Sequence, residues 1–268
     1  MKKLIAISYL CLGLLSAQAL KMATTTSTDN TGLLDDLAPK FAQDSGINLQ
    51  WVSVGTGKAL KLGENCDVSV LLVHSPKVEE DYVRKGFGVD RKAVMYNDFV
   101  IVGNKSYLSD FKGKKLQDAF KLIKQKQIPF ISRGDKSGTH NKEVSIWKAV
   151  DGGEIPGKED KWYQESGQGM LNTIQIASEQ KAITLTDRGT FIKYSNSPSS
   201  NKDLVILIQG DEALKNFYSV MAVNPKRCPN ADYKGAMKWI EWLTGTQGQK
   251  AIQDFKLKGE QLFTPNAH

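Results

Sequence analysis

Thr24-Thr25-Thr26-Ser27-Thr28 stands between an apolar stretch and a segment whose Leu33, Leu34, Leu37, Ala38 and Phe41 fall on one helical face. A run of hydroxyls at that junction lies where a strand hands over to a helix. Backbone N–H groups at a helix start lack internal partners, and the helix dipole there favours negative charge. Hydroxyl side chains add donors, so the junction suits an anion without needing lysines. The plainer alternative is an N-cap within a Ser/Thr-rich loop.

Outward from this junction, strands and helices alternate. Ile47–Val54 reads as a strand, Gly55-Thr56-Gly57 as a turn and Lys58–Leu62 as a short helix. Val68–Val73 is a nearly continuous β-branched and apolar run, the pattern of a strand buried on both faces of a parallel sheet. A helix over Pro76–Lys85 and a strand over Ala93–Val102 complete a β-α-β-α-β set. The pattern then restarts: helix Asp118–Lys126, strand Ile128–Ser132, helix Asn141–Val150, helix Leu171–Gln180 and strand Ala182–Thr186. Leu204–Gln209 and Phe217–Val223 read as strands, and Tyr233–Leu243 and Gln247–Phe255 as helices.

Two such sets predict an α/β protein of two lobes. The terminal helices have no sheet of their own and are expected to return to the first lobe. The chain would then cross twice, giving lobe I from 20–101 and 220–268 and lobe II from 102–219, with a hinge and a cleft between them.

Met1–Ala19 has the layout of an export signal: Lys2 and Lys3, an apolar run from Leu4 to Leu15, and Ala17-Gln18-Ala19 as a small-x-small cleavage site. The apolar run is too short to span a bilayer, and Ser8-Tyr9-Leu10 before Cys11 lacks the small residues of a lipoprotein site. A soluble, secreted mature chain starting near Leu20 is expected. The net charge of +7 includes Lys2 and Lys3, so the mature chain carries about +5. Its lysines are scattered among acids, which argues against a nucleic-acid-binding face but suits the gathering of small anions. Cys66 and Cys228 either form one disulfide or stay as buried free thiols, and spacing does not choose between them.

Four loops combine glycines with hydroxyls ahead of a helix: Thr24–Thr28, Gly55-Thr56-Gly57, Ser132–Thr139 and Gly167–Met170. In an open α/β lobe such loops face the ligand crevice, and glycine lets backbone N–H groups approach an oxyanion. Within Ser132-Arg133-Gly134-Asp135-Lys136-Ser137-Gly138-Thr139-His140, Arg133 offers a fixed fork of donors. Asp135 is expected to orient Arg133 or cap the helix, and a salt bridge with Asp135 or another carboxylate is the plain structural reading of Arg133. Several other patterns fail. Val54–Ala59 lacks the first glycine and the metal-binding hydroxyl of a P-loop. Asn172 replaces the third glycine of a dinucleotide pattern, and His74 and His140 have no partner at metal spacing. No Gly-x-Ser-x-Gly elbow occurs, so no activated nucleophile is expected.

Taken together, these residues resemble the TupA-type tungstate-binding solute receptors of ABC importers. The resemblance covers essentially the whole mature chain. It rests on Thr24–Thr28 with Thr31-Gly32-Leu33-Leu34, on Val54-Gly55-Thr56-Gly57 with Ala59-Leu60, and on Leu71–Pro76. It continues through Ser132–His140, Gly167–Met170 and Leu185–Thr190. Leu171 departs from the pattern, standing where a small residue is expected. The resemblance implies a type II periplasmic binding fold, two α/β lobes joined by a two-crossing hinge, closing on a dehydrated tetrahedral oxyanion. Carried over residue by residue, it assigns anion binding to Thr25, Thr26, Ser27 and Thr56 from lobe I, and to Arg133, Ser137, Gly138 and Thr139 from lobe II. It implies no cofactor and no metal, only tungstate as ligand, with molybdate, phosphate or sulfate as alternatives. It also implies a periplasmic location, and an inner-membrane permease with its ATPase as partner. A monomer is expected. The reading from another class is a secreted phosphoryl- or acyl-transfer enzyme that uses Ser137 or Thr139 with His140.

Overall fold

The computed structural model describes residues 19–267. The export signal expected over 1–19, with Cys11, lies outside the described residues, apart from Ala19 at the start of the first strand. In chain order the first elements are β1 (Ala19–Thr25), α1 (Thr26–Asp29), α2 (Leu33–Ser45), β2 (Asn48–Val54), α3 (Thr56–Glu64), β3 (Val70–Val73), α4 (Pro76–Arg84) and β4 (Gly88–Asn104). There follow α5 (Leu108–Phe111), α6 (Leu116–Lys126), β5 (Phe130–Ser132), α7 (Gly138–Lys148), β6 (Tyr163–Glu165), α8 (Met170–Glu179), β7 (Thr184–Asp187) and α9 (Arg188–Ser195). The chain closes with β8 (Leu204–Ile208), β9 (Lys215–Val223), α10 (Tyr233–Thr244), α11 (Thr246–Asp254) and the two-residue strands β10 (Lys256–Leu257), β11 (Glu260–Gln261) and β12 (Thr264–Pro265).

β1 lies between β2 and β3 and runs parallel to both. Its alternation serves two faces. Leu20 and Met22 pack with α2 and α10 residues such as Phe41 and Trp239, while Ala23 packs with Ala59 and Leu60 of α3. Parallel sheets were expected, but the first sheet is mixed and the ladders of β4 in the second are antiparallel. β9 runs antiparallel to β3 and to β4, and β4 runs antiparallel to β7 and β8. Hydrophobic alternation reports which faces of a strand are buried and carries no information on its direction.

β4 belongs to two sheets. It pairs with β9 as far as Asp98, opposite Lys215, and from Phe99, opposite Asp187, it pairs with β7. Phe99 and Ile101 enter one core with Phe120, Phe130 and Trp147, and Val100 and Val102 enter another with Ile174, Phe191 and Tyr194. The terminal helices pack on the first sheet, where Trp239, Ile240, Leu243 and Ile252 share a core with Leu20 and Phe41. Cys66 and Cys228 are joined by a disulfide across a sequence separation of 162. Among the described residues no helix is long and apolar enough to cross a membrane.

Two local departures bear on function. The hydroxyl run opens a separate helix of four residues, and the amphipathic helix begins later, at Leu33. So short a helix has little dipole, which leaves the anion argument at this loop to the hydroxyls themselves. The sequence pattern also gave no sign of α9. Phe191 and Tyr194 point into one core and Ile192 into another, so its apolar residues form no single stripe.

Candidate functional site

A cavity of about 630 Å³ opens where the strands of the two sheets meet. All eight of the residues singled out in the sequence line it: Thr25, Thr26, Ser27 and Thr56 on one side, Arg133, Ser137, Gly138 and Thr139 on the other. The loops after β1 and β2 bring the first group, and the loop after β5 brings the second.

The hydroxyl wall is held from behind by hydrogen bonds. Thr25 Oγ1 lies 2.7 Å from Thr28 Oγ1 and 3.2 Å from Ser27 Oγ. His74, just beyond β3, places Nε2 3.0 Å from Thr25 Oγ1 and 3.1 Å from Ser27 Oγ. Its Nδ1 lies 3.1 Å from Asn216 Oδ1, and Asn216 Nδ2 donates to Asn97 Oδ1 at 2.9 Å. Asn97 donates in turn to the Tyr218 hydroxyl. Desolvation pushes the His74 imidazole below its ordinary value, against the Asn216 hydrogen bond and the negative charges of Glu79 and Asp187. Thr25 and Ser27 are thus tied through His74 to β4 and β9, the two strands that join the sheets.

Thr56 and Gly57 begin α3, capped by Gly55, which offers no side-chain bond. The first-turn N–H groups of this nine-residue helix therefore face the cavity without a capping side chain. The helix starts two residues earlier than expected because Thr56 and Gly57 join its first turn.

The arginine loop is built differently. Gly134 has φ +63°, and a Cβ there would come within 2.6 Å of the Glu165 side chain, so only glycine fits. Arg133 pairs with Asp135, which also accepts from Ser137 N at 3.1 Å. Burial pushes the Asp135 carboxyl up, but the Ser137 hydrogen bonds and the Arg133 charge outweigh it and hold the carboxyl below its ordinary value. The Arg133 Nε is buried and has no partner. Ser137 caps α7, its Oγ accepting from His140 N at 3.3 Å. The His140 ring accepts from Lys136 N at 2.9 Å through Nδ1. Ser137 and His140 thus make a capping arrangement with no contact between hydroxyl and imidazole of the kind a nucleophile needs.

Gly167–Met170, expected at the crevice, chiefly supports this loop. Gly167 N donates to Arg133 O at 2.9 Å, and only Met170 reaches the cavity. Beneath it, Glu143 of α7 accepts from Trp147 Nε1 at 3.1 Å and from the Tyr163 hydroxyl at 2.8 Å. Burial raises its carboxyl to about 7, opposed by hydrogen bonds from Ser132, Tyr163 and Trp147. Leu171, the departure from the family pattern, is 52% exposed, so it leaves the packing here untouched.

Lys58, Lys136, Lys193, Asn97, Asp187, Asn216 and Tyr218 also line the cavity and were not singled out. Lys193 donates across the opening to the carbonyl of Asn30. Asp187 is the one carboxylate among the lining residues, and both its oxygens are taken by Thr190. With Arg133 and three lysines beside that single capped acid, the field in the cavity is positive. Asn97, Asn216 and Tyr218 sit on strands whose apolar neighbours dominate the sequence pattern, and only their placement brings them together. Among the described residues no group of His, Cys, Asp or Glu is arranged to hold a metal ion.

Residues 15–247 match the model of the PBP superfamily domain. A two-sheet α/β chain whose strands join around a polar cavity is a solute-binding protein of this superfamily, and the chain belongs to it. The tungstate-binding protein TupA of Campylobacter jejuni is 55% identical over 241 residues, covering 90% of this chain and 88% of that protein. The solved tungstate-binding protein TupA of Desulfovibrio alaskensis superposes with a TM-score of 0.89 at 52% identity, covering 94% of this chain and 100% of that one. A solved tungstate ABC transporter protein of Geobacter sulfurreducens gives a TM-score of 0.76 at 50% identity, covering 88% and 98%. Within the superfamily, the chain is a member of the TupA family.

Proposed function

We propose that this protein is the periplasmic receptor of an ABC importer. It captures tungstate between two lobes, 20–101 with 220–268 and 102–219, and delivers it to a membrane permease and its ATPase. It works as a monomer. One observation carries the reading: uncharged hydroxyls and α3 N–H groups on one wall of the cavity face a guanidinium and the first turn of α7 on the other. Neither wall alone surrounds a tetrahedral dianion. The cavity of about 630 Å³ is larger than a five-atom anion fills, so contact with both walls requires the lobes to close about β4 and β9. An anion that touches both walls favours the closed state, and that state is what a permease can distinguish. Charge-assisted bonds of about 1.5–3 kcal/mol each, less the desolvation of the dianion, allow tight binding.

The ligand's identity is supported by the relatives named above and by the site's chemistry. Phosphate near neutral pH keeps a proton and needs an acceptor. Asp187 on the cavity lining and Asp135 beside Arg133 already hold hydrogen bonds from Thr190 and Ser137. Calorimetric titration of unfolded and refolded protein with tungstate, molybdate, sulfate and phosphate tests the reading. Tight one-to-one binding of tungstate with sulfate and phosphate silent is expected. Equal binding of molybdate would widen the substrate to large oxyanions, and silence with all four would overturn the receptor.

A further inference from the structure

His74 occupies a place that the anion reading leaves without a task. It stands behind Thr25 and Ser27 and lies within hydrogen-bond reach of both. Asn216 Nδ2 is committed to Asn97 Oδ1, so Asn216 turns its carbonyl oxygen to His74. A carbonyl only accepts, which places the hydrogen of the neutral ring on Nδ1 and leaves Nε2 as an acceptor. A neutral His74 therefore takes a hydroxyl hydrogen from the Thr25–Ser27 pair. That hydrogen is one the pair would otherwise offer to an anion in the cavity.

A proton on Nε2 reverses this bond. The imidazolium donates to Thr25 or Ser27 through Nε2 and to Asn216 through Nδ1, so both ring hydrogens find acceptors. The hydroxyl hydrogen is released toward the cavity, and a positive charge stands behind it. We propose that His74 is a positioning residue that takes up one proton from solvent as the oxyanion binds, turning the Thr25–Ser27 hydroxyls into donors to the anion. This rests on the receptor reading above.

The groups facing His74 suit such an exchange. Thr25, Thr26 and Ser27 on β1 and α1 bring no charge. From α4 comes Glu79, ion-paired with Arg91, and from the N-cap of α9 comes Asp187. β9 adds Asn216 and Tyr218, the latter's ring tilted 33° to the imidazole with centroids 4.8 Å apart. Without a ligand, desolvation favours the neutral ring. A dianion beyond the hydroxyls adds negative charge on the open side and shifts the balance to the imidazolium. By linkage, protons and anion then bind cooperatively, and affinity falls by up to about tenfold per pH unit as pH rises.

The test is titration of refolded protein with tungstate at about pH 7.5, in two phosphate-free buffers of low and high ionisation enthalpy. The measured heat is expected to differ between buffers by the uptake of up to one proton per anion. H74Q, which cannot take the proton, should lose the buffer dependence. H140Q should keep it, since His140 is the other described histidine. Wild-type affinity should fall between about pH 7 and about pH 9, where the anion's own charge is constant. Binding with the same heat in both buffers and a flat affinity overturns the inference alone, even if H74Q fails to fold. Uptake that survives in H74Q, or vanishes in H140Q, also overturns it. Absence of tungstate binding by the wild type overturns the receptor reading and this inference with it.

Discussion

In the proposed receptor the two walls of the cavity would hold an anion in opposite ways. The hydroxyls of the first wall carry no charge. Thr25 and Thr28 are buried at its base, and its hydrogen bonds run through His74 into β4 and β9. The arginine wall carries a full charge on a tight loop, with φ of +63° at Gly134 and +59° at Lys136, and its guanidinium is held by an acid two residues away. Direction of donors is fixed by the first wall and charge is supplied by the second. A charge can be held locally because its field acts at a distance, whereas a hydroxyl is useful only when its hydrogen points the right way.

That contrast predicts that damage to the arginine wall acts on binding and damage to the hydroxyl wall acts on binding and stability together. Arg133→Ala should weaken tungstate binding by about 3 kcal/mol, on the order of a hundredfold. Its thermal midpoint should stay near that of the parent, because the ion pair it loses is local and small in effect. An unchanged titration would remove Arg133 from the site.

Glu143 sharpens the comparison from beneath the arginine loop. Its carboxyl, raised to about 7, stays protonated in the folded protein where the unfolded chain has already lost the proton. The native state then binds more protons, so this group's contribution is full below the ordinary carboxylate range and is lost as pH rises through about 7. Glu143→Gln should abolish that loss, gaining on the order of 3 kcal/mol over the parent above pH 7 and little at pH 4. Urea midpoints at the two pH values check it, and a parallel shift at both would contradict the buried, neutral carboxyl.

Thr25→Val should have the smallest of the three effects, a stability loss of about 1–2 kcal/mol, because it leaves the partners of a buried hydroxyl unsatisfied. It should weaken binding as well, which separates it from Arg133→Ala. A Thr25→Val variant that binds normally but melts early would make the hydroxyl wall a scaffold only.

Much of this molecule is written in local sequence. The alternation of β-branched runs with amphipathic segments pointed to the α/β class, and three of the four glycine-hydroxyl loops hold the residues singled out on the cavity wall, the eight particular positions within them being assigned by the family resemblance. Both follow from short-range chemistry: which face is buried, where helix N–H groups lack partners, and where glycine lets a backbone come close. Strand direction, the α9 helix between two cores, the Cys66–Cys228 pairing and the Asn97–Asn216–His74 chain were decided only by tertiary structure. The Asn216–His74 bond joins residues 142 positions apart, and the disulfide spans 162. Periodicity within one element says nothing about which distant element will lie against it, and a polar residue on an apolar strand acquires its role only from the partner that the fold supplies.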